Sequence, residues 1–293
     1  MKILITGANG QVGRALQDAL APLGQIVALD RSQLDLAQPD ALREQVRAIA
    51  PDAIVNAAAY TAVDRAESEP ALARAVNAIA PGVLAEEARR LGCVLVHYST
   101  DYVFDGTKSE PYVETDPTHP LSVYGRTKLE GERAIGASGC RHFTLRTSWV
   151  YDARGRNFLR TMLRLASEGR TSLRIVDDQV GAPTWSREIA SATAALLARR
   201  ELAAPGAEGL YHLTARGATS WFGFAQAIFA SPELARRGLT PPALEAIPAS
   251  AYPAPARRPA NSRLDCARLA RSAGIELAPW DEALRRCMAA LRE

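Results

Sequence analysis

Tyr124-Gly125-Arg126-Thr127-Lys128 sets a phenol and an ammonium four residues apart, at the head of a run that reads as helix. Residues i and i+4 share one helix face, so both groups can act on one ligand. A nearby ammonium favours phenolate over phenol and is expected to lower the tyrosine pKa. A tyrosine tuned in this way gives a proton to a carbonyl oxygen or takes one from an alcohol. Upstream, the apolar run Val94–Ser99 ends in Thr100 and Asp101. In doubly wound sheets ligands sit beyond the carboxyl ends of the strands. Thr100 is therefore expected to hydrogen-bond a substrate carbonyl oxygen beside Tyr124. The constellation points to hydride transfer at a carbonyl, with Tyr124 as the acid, Thr100 on the oxygen and Lys128 on a nicotinamide ribose.

A hydride needs a carrier, and the chain opens with a signature for one. Gly7-Ala8-Asn9-Gly10-Gln11-Val12-Gly13 is GxxGxxG between a strand and a helix. Gly7, Gly10 and Gly13 permit the tight turn, the approach of backbone to pyrophosphate and the packing of helix on strand. Gln11 and Val12 open a helix whose free N–H groups face phosphate. Asp30 ends the second strand, where an acid receives the adenine-ribose 2′-hydroxyl and favours NADH. Arg31 follows and suits a 2′-phosphate, which favours NADPH, so either cofactor is expected to work. Asp35 and Leu36 are placed near adenine. Ala59, Tyr60 and Thr61 follow the third strand, with Thr61 where substrate meets nicotinamide. Tyr98 completes the expected cofactor set.

These groups need a frame, and the sequence alternates strands with helices. Lys2–Thr6, Ile26–Asp30, Ala53–Ala57, Val94–Ser99 and Phe143–Thr147 read as buried strands. Between them Gln11–Leu20, Pro39–Ala50, Pro70–Leu91 and Val123–Ile135 read as helices. Alternation implies parallel βαβ units, and unbroken apolar strands fit a sheet covered on both faces. The fold class is thus α/β, a Rossmann-type doubly wound parallel sheet with a smaller C-terminal substrate lobe. Residues 1–150 form the dinucleotide-binding domain in this reading. Residues 151–293 form mainly a substrate-binding lobe, with some segments returning to the sheet. There the pattern predicts helices at Asn157–Glu168, Arg187–Arg200, Trp221–Phe229 and Trp280–Leu291, and strands at Leu173–Val176 and Leu210–Leu213. Asp177–Thr184 reads as a Gly-Pro turn, and the proline-rich Ile247–Pro259 as an ordered loop over a site.

Composition excludes several classes. A net charge of +3 over 293 residues does not argue for nucleic acid. No apolar run reaches membrane-spanning length. Cys93, Cys140, Cys266 and Cys287 are too widely spaced for a zinc site or a disulfide framework. The start MKILITGANG runs straight into strand and turn without a cleavage pattern, so a cytoplasmic location is expected.

The stretches ITGANGQVG, VNAAAYTAVDRAESEP, HYSTDYVFDG, VYGRTKLEGE, RTSWVY, DDQVGAPT, LYHL and IPASAYPAPARRPANSRLD run from end to end of the chain. In them the chain resembles the dTDP-4-dehydrorhamnose reductase family of extended short-chain dehydrogenases. The resemblance implies hydride transfer from NADPH or NADH to C4 of dTDP-4-dehydro-β-L-rhamnose, the last step of dTDP-L-rhamnose synthesis. It makes Tyr124 the acid, Lys128 the ribose-binding lysine and Thr100 the third catalytic residue. Trp149 matches a tryptophan of the sugar pocket, and Asp101 the residue after the catalytic threonine. The Arg258–Arg263 segment resembles the loop over the nucleotide diphosphate, with Arg258, Asn261 and Arg263 as contacts. Guanidinium groups suit diphosphate oxygens. Asn157 is counted with the substrate residues. Some members join subunits through magnesium held by glutamates; the matching positions here are Ala15 and Arg187, so no metal and a monomer or a non-metal-bridged homodimer are expected. Two alternatives stand beside this reading: a neighbouring sugar-nucleotide reductase or epimerase, and a catalytically silent subunit of the same fold.

Overall fold

The first half of the chain lays down β1 (Lys2–Thr6), α1 (Gln11–Leu20), β2 (Gln25–Leu29), α2 (Pro39–Ile49), β3 (Ala53–Asn56), α3 (Val63–Ala66), α4 (Pro70–Arg74), α5 (Ala80–Leu91), β4 (Val94–Thr100), α6 (Val123–Ser138) and β5 (His142–Thr147). The computed structural model describes residues 1–199 and 208–291. The strands pair in parallel, and alternate residues of each serve opposite faces. Ile3, Ile5, Val55 and Val96 point into one core with Leu16 and Leu20 of α1. Leu4, Ile54 and Leu95 point into the other, against Leu42 and Val46 of α2 and Val83 and Leu84 of α5. Helices on both faces of a parallel sheet make the doubly wound α/β architecture.

The predicted helix Pro70–Leu91 is continuous but not uniform. A π turn at Ala75–Ile79 joins α4 to α5. The π turn inserts one residue into the helical ladder and so rotates the faces of α4 and α5 relative to each other.

The second half continues with β6 (Val150–Tyr151), α7 (Phe158–Ser167), β7 (Ser172–Val176), β8 (Val180–Gly181), β9 (Thr184–Trp185), α8 (Ser186–Ala198) and β10 (Gly209–His212). β10 pairs in parallel with β5 and completes a six-stranded sheet of order β10-β5-β4-β3-β1-β2. α8 packs beside α1, with Ile189 and Leu196 in the sheet core. Its predicted end, Arg200, lies outside the described residues. The chain ends in β11 (Thr219–Ser220), α9 (Trp221–Phe229), α10 (Pro232–Arg236), β12 (Ala243–Ile247), α11 (Ala267–Ala273) and α12 (Trp280–Ala289). Around α7, α9 and α12 a separate core gathers Leu159, Met162, Phe224, Ile228, Leu284 and Met288.

The expected turn Asp177–Thr184 is corrected: it holds β8, antiparallel to β11, and the start of β9. β12, unanticipated, pairs in parallel with β7. Its residues are largely exposed apart from Ile247, so it carries no apolar run to read. No described helix is long and apolar enough to cross a membrane.

Candidate active site

α6 opens with Ser122, whose Oγ accepts from the Gly125 N–H at 3.2 Å. This cap fixes the first turn. Glu67 adds a second hold, accepting from the Val123 N–H at 2.8 Å. From that start α6 presents Tyr124, Lys128 and Glu132 at successive i, i+4 positions toward the carboxyl ends of β4 and β5. Gly125 has no room for a side chain, since a Cβ would run into the Tyr102 carbonyl oxygen. The backbone of the catalytic turn therefore lies directly on the segment that follows β4.

Glu132 is locked from below. Arg146 donates from Nε at 2.9 Å and from Nη2 at 2.7 Å, and Ser99 Oγ adds a further bond. Lys128 is 1 % exposed. Its Nζ donates to the Tyr98 carbonyl at 2.6 Å and lies 3.2 Å from His97 Nε2. Burial pulls its pKa down to about 8, with Glu132 pulling the other way. An ammonium has three donors; with two so engaged, one is left for the cleft that Lys128 lines.

Tyr124 corrects one expectation. Its pKa is pushed up to about 12: burial raises it, the hydrogen bond with the Thr100 side chain offsets part of that, and the Asp101 carboxylate adds to the rise. Desolvation of the phenolate outweighs any help from the ammonium. The phenol therefore keeps its proton through the neutral range, as an acid must. Thr100 Oγ1 accepts from the Tyr102 N–H at 3.2 Å and donates to Asp101 Oδ1 at 3.0 Å. Burial pushes Asp101 up to about 6, with the Ser262 and Thr100 side chains drawing it back. Tyr102 stands edge-on to Tyr124, ring centroids 5.5 Å apart.

Beside this cluster runs a cleft of about 520 Å³ lined by Gly7, Gly10, Gln11, Val12, Asp30, Arg31, Asp35, Leu36, Ala59, Tyr60, Thr61, Tyr98, Tyr124 and Lys128. Gly7 has φ +73°, and a Cβ on Gly13 would strike the Gly7 carbonyl oxygen. The glycine turn is thus folded tightly under the start of α1, with backbone rather than side chain facing the cleft. Asp30 Oδ1 accepts from the Ser32 backbone and hydroxyl, and Oδ2 from Asn9 Nδ2 at 2.6 Å. These bonds, Ser32 first, hold its pKa below the usual carboxylate range. Arg31 stands 3.9 Å from Asp35 in an exposed pair. Tyr60 is fixed from its backbone, whose N–H donates to Asn77 Oδ1 at 2.8 Å, and from its hydroxyl, which donates to Glu69 at 2.5 Å. A glycine cradle, a carboxylate at the β2 end and a buried lysine at the β4 end fit a dinucleotide. Tyr98 contributes differently from expectation. Its hydroxyl is bound to Thr193 of α8 at 2.7 Å, on the far side of the sheet, while its carbonyl holds Lys128.

A second cavity, about 830 Å³, is lined by Phe158, Gln179, Trp221, Tyr252, Arg257 and Arg258 among others. Arg258 Nη2 meets Asp64 Oδ2 at 2.8 Å, tying the proline-rich loop to α3. Trp149, at φ +47°, does not line this cavity. It stacks on Trp221 at 3.6 Å, and a Cβ on Gly181 would collide with its indole. Trp221 is the ring that faces the space, and a tryptophan opening a helix offered no signal of that task.

Three expected substrate residues have other partners. Asn157 caps α7 and donates from Nδ2 to Gln11 Oε1 at 2.8 Å. Asn261 Nδ2 donates to the Lys108 and Glu110 carbonyls at 2.7 and 2.9 Å. Arg263 donates from Nε to Asn261 Oδ1 at 2.9 Å, and to the Ser109 carbonyl. These bonds hold loops, and none of the three residues is among the side chains that line the second cavity. Arg156, by contrast, lines the dinucleotide cleft and was not anticipated. Only the fold of the 152–157 loop onto Gln11 brings it there.

Ala15 and Arg187 line one polar crevice with Arg14, Asp18, Asp152 and Arg154. Alanine offers no donor atom to a divalent cation, and the Arg187 guanidinium lies 5.5 Å from the Trp185 ring. Hard cations take oxygen ligands, so these two positions do not fit a metal bridge.

Comparisons with known proteins agree along the whole chain. A family pattern described as the RmlD substrate binding domain matches residues 1–293. A dTDP-4-dehydrorhamnose reductase from Burkholderia thailandensis is 55 % identical, covering 98 % of both chains. One from Escherichia coli K12 is 46 % identical over 98 % of this chain and 97 % of its own. Among solved structures, a dTDP-4-dehydrorhamnose reductase from Clostridium acetobutylicum superposes with a TM-score of 0.91 at 35 % identity, over 100 % of both chains. One from Bacillus anthracis, in complex with NADP, gives 0.89 at 33 % identity, over 99 % of both. By full-length sequence and by fold alike, this chain belongs to the dTDP-4-dehydrorhamnose reductase family.

Proposed function

We propose that this chain reduces the C4 keto group of dTDP-4-dehydro-β-L-rhamnose to give dTDP-L-rhamnose, using NADPH or NADH. The observation that carries the reading is the convergence of half-buried Tyr124 with buried Thr100 and Lys128, beside a glycine-floored cleft, at the carboxyl end of β4.

Bound in that cleft, the reduced nicotinamide supplies the hydride. The chain's own groups do the rest. Gly7, Gly10 and Gly13 bring backbone N–H groups to the pyrophosphate. Asp30 takes the adenine-ribose hydroxyl, and Arg31 beside it tolerates a 2′-phosphate. The free donor of Lys128 orients the nicotinamide ribose. Thr100 turns its hydroxyl proton from Asp101 to hold the keto oxygen, and Tyr124, still protonated in the neutral range, delivers its proton to that oxygen as negative charge develops there. Arg257 and Arg258 are the cations for the diphosphate, with Trp221 and Tyr252 as apolar walls. Residues 1–150 thus serve mainly the dinucleotide and residues 151–293 the sugar nucleotide, β10 and α8 being given back to the sheet. The active unit is a monomer or a homodimer without a metal bridge, acting in the cytoplasm.

Absorbance at the reduced-nicotinamide band, followed with the purified chain and dTDP-4-dehydro-β-L-rhamnose, tests this directly. Stoichiometric loss of NADPH with formation of dTDP-L-rhamnose is expected. Turnover only with a different nucleotide sugar, or none with any, would refute the assignment.

A further inference from the structure

A row of polar side chains crosses the sheet beneath the catalytic helix. Thr6, Asn56 and His97 are register partners on β1, β3 and β4. Each follows a residue of the opposite core, so all three face the α6 side, and none is more than 1 % exposed. Thr6 Oγ1 donates to Asn56 Oδ1 at 2.6 Å, and Asn56 Nδ2 lies 2.9 Å from His97 Nδ1. His97 Nε2 lies 3.2 Å from Lys128 Nζ. Apolar residues would fill this space at no cost in unpaired polar groups. The proposed chemistry touches none of the three.

We propose that His97 is a positioning residue for Lys128, its single ring proton resting on Nδ1 while Lys128 is an ammonium and on Nε2 while Lys128 is an amine. The inference rests on the role given above to Lys128. It follows from a hydrogen count. Burial, with the Lys128 charge added, holds the His97 pKa well below its ordinary value, so the imidazole is neutral and has one N–H and one lone pair. With an ammonium at 3.2 Å, Nε2 must accept, and Nδ1–H then donates to the Asn56 oxygen. The Asn56 amide nitrogen in turn donates to Thr6 Oγ1, whose own proton rotates away. With an amine, Nε2–H donates to Nζ, Nδ1 accepts from Asn56 Nδ2, and Thr6 donates to Asn56 Oδ1. The two patterns differ by one proton, released from Nζ to the cleft, and by a turn of the Asn56 amide, whose two ends diffraction rarely tells apart.

Other charged and titratable groups near Lys128 do not supply this coupling. Tyr124 and Glu132 share its helix. Glu132 is held by Arg146 from β5, and His142, also on β5, acts on His97 only through its charge. An imidazole acceptor therefore adds to the Glu132 charge in keeping Lys128 cationic at a depth where burial drives it toward the amine.

The chain has three lysines, Lys2, Lys108 and Lys128, and four histidines. NMR on the full chain carrying 13Cε-lysine and 15N-histidine labels can follow both partners, with Lys2→Arg and Lys108→Arg fixing the assignment. The Lys128 midpoint is expected near 8, with the His97 proton on Nδ1 below it and on Nε2 above. His97→Leu should drop the midpoint by about one pH unit. His97→Gln, whose amide oxygen can take the Nε2 position, should bring it back. A single His97 tautomer across the Lys128 titration overturns the proposal, as does a folded His97→Leu protein with an unmoved midpoint. Should His97→Leu not fold, the wild-type tautomers decide alone. Neither readout needs substrate, so inactivity on the dTDP-keto sugar would sink the functional reading and leave this one standing.

Discussion

Tyr124 carries the clearest single-residue consequence. Its phenol is the proton source in a buried site, and general acid catalysis typically contributes about a hundred- to ten-thousand-fold. Tyr124→Phe is therefore expected to lose turnover by that range while cofactor binding, followed by fluorescence titration, stays near wild type. Retention of more than half the wild-type rate would remove Tyr124 from the mechanism. Lys128 has a second signature, in stability. Its pKa is about 8 in the folded protein against 10.5 ordinarily. Between those values the unfolded chain binds more protons than the folded one, so stability rises with pH. Relative to Lys128→Met, the wild type should gain up to about 3 kcal/mol between pH 8 and pH 10.5, measured by urea unfolding across that range. A flat difference would mean that Lys128 is not held in the ammonium-disfavouring environment seen here.

Between elements, close backbone contact replaces side-chain packing where the site is built. Gly131 of α6 faces the π turn, and a Cβ there would strike the Asn77 carbonyl oxygen. That approach brings Asn77 Nδ2 to Thr127 at 3.2 Å and to the Tyr60 carbonyl at 3.1 Å. The π turn thus couples the catalytic helix to the wall of the cofactor cleft. Gly131→Ala should cost about 1–3 kcal/mol by overpacking and weaken cofactor binding, read by chemical denaturation and by titration. Unchanged stability would mean the turn yields freely. None of this contact was legible in the sequence, because it depends on how closely two segments more than 50 residues apart approach. The helices with strong local signals were legible: Gln11–Leu20 and Trp221–Phe229 have the bounds read from their pattern. α10 and α11, at 5 and 7 residues, are too short to establish a period.

At the scale of the molecule, the crevice of Ala15 and Arg187 bears on assembly. The two positions come together although 172 residues separate them in sequence, and neither supplies an oxygen ligand. Turnover and the gel-filtration mass are expected to be the same with and without EDTA. A drop in mass, or loss of most activity on chelation, would show that other residues rebuild a metal site. The whole-molecule path of the chain also explains why a boundary at residue 150 describes sequence better than space. β10 extends the sheet from residues 209–212, while α8 covers the same face as α1.

What the sequence determined by itself was local. The glycine turn needs only short-range sterics, the Tyr124–Lys128 pair only the helix repeat, and the strands only their apolar runs, so each could be read in place. Tertiary structure decided what those groups experience. The Tyr124 pKa depends on desolvation by surrounding elements, which outweighs the neighbouring charge. The tasks of Asn157, Asn261 and Arg263 depend on which carbonyls folding sets beside them. The row from Thr6 through Asn56 and His97 to Lys128 exists only through the register of three parallel strands under one helix. Register and burial are sums over distant segments, and no local pattern in a single chain contains them.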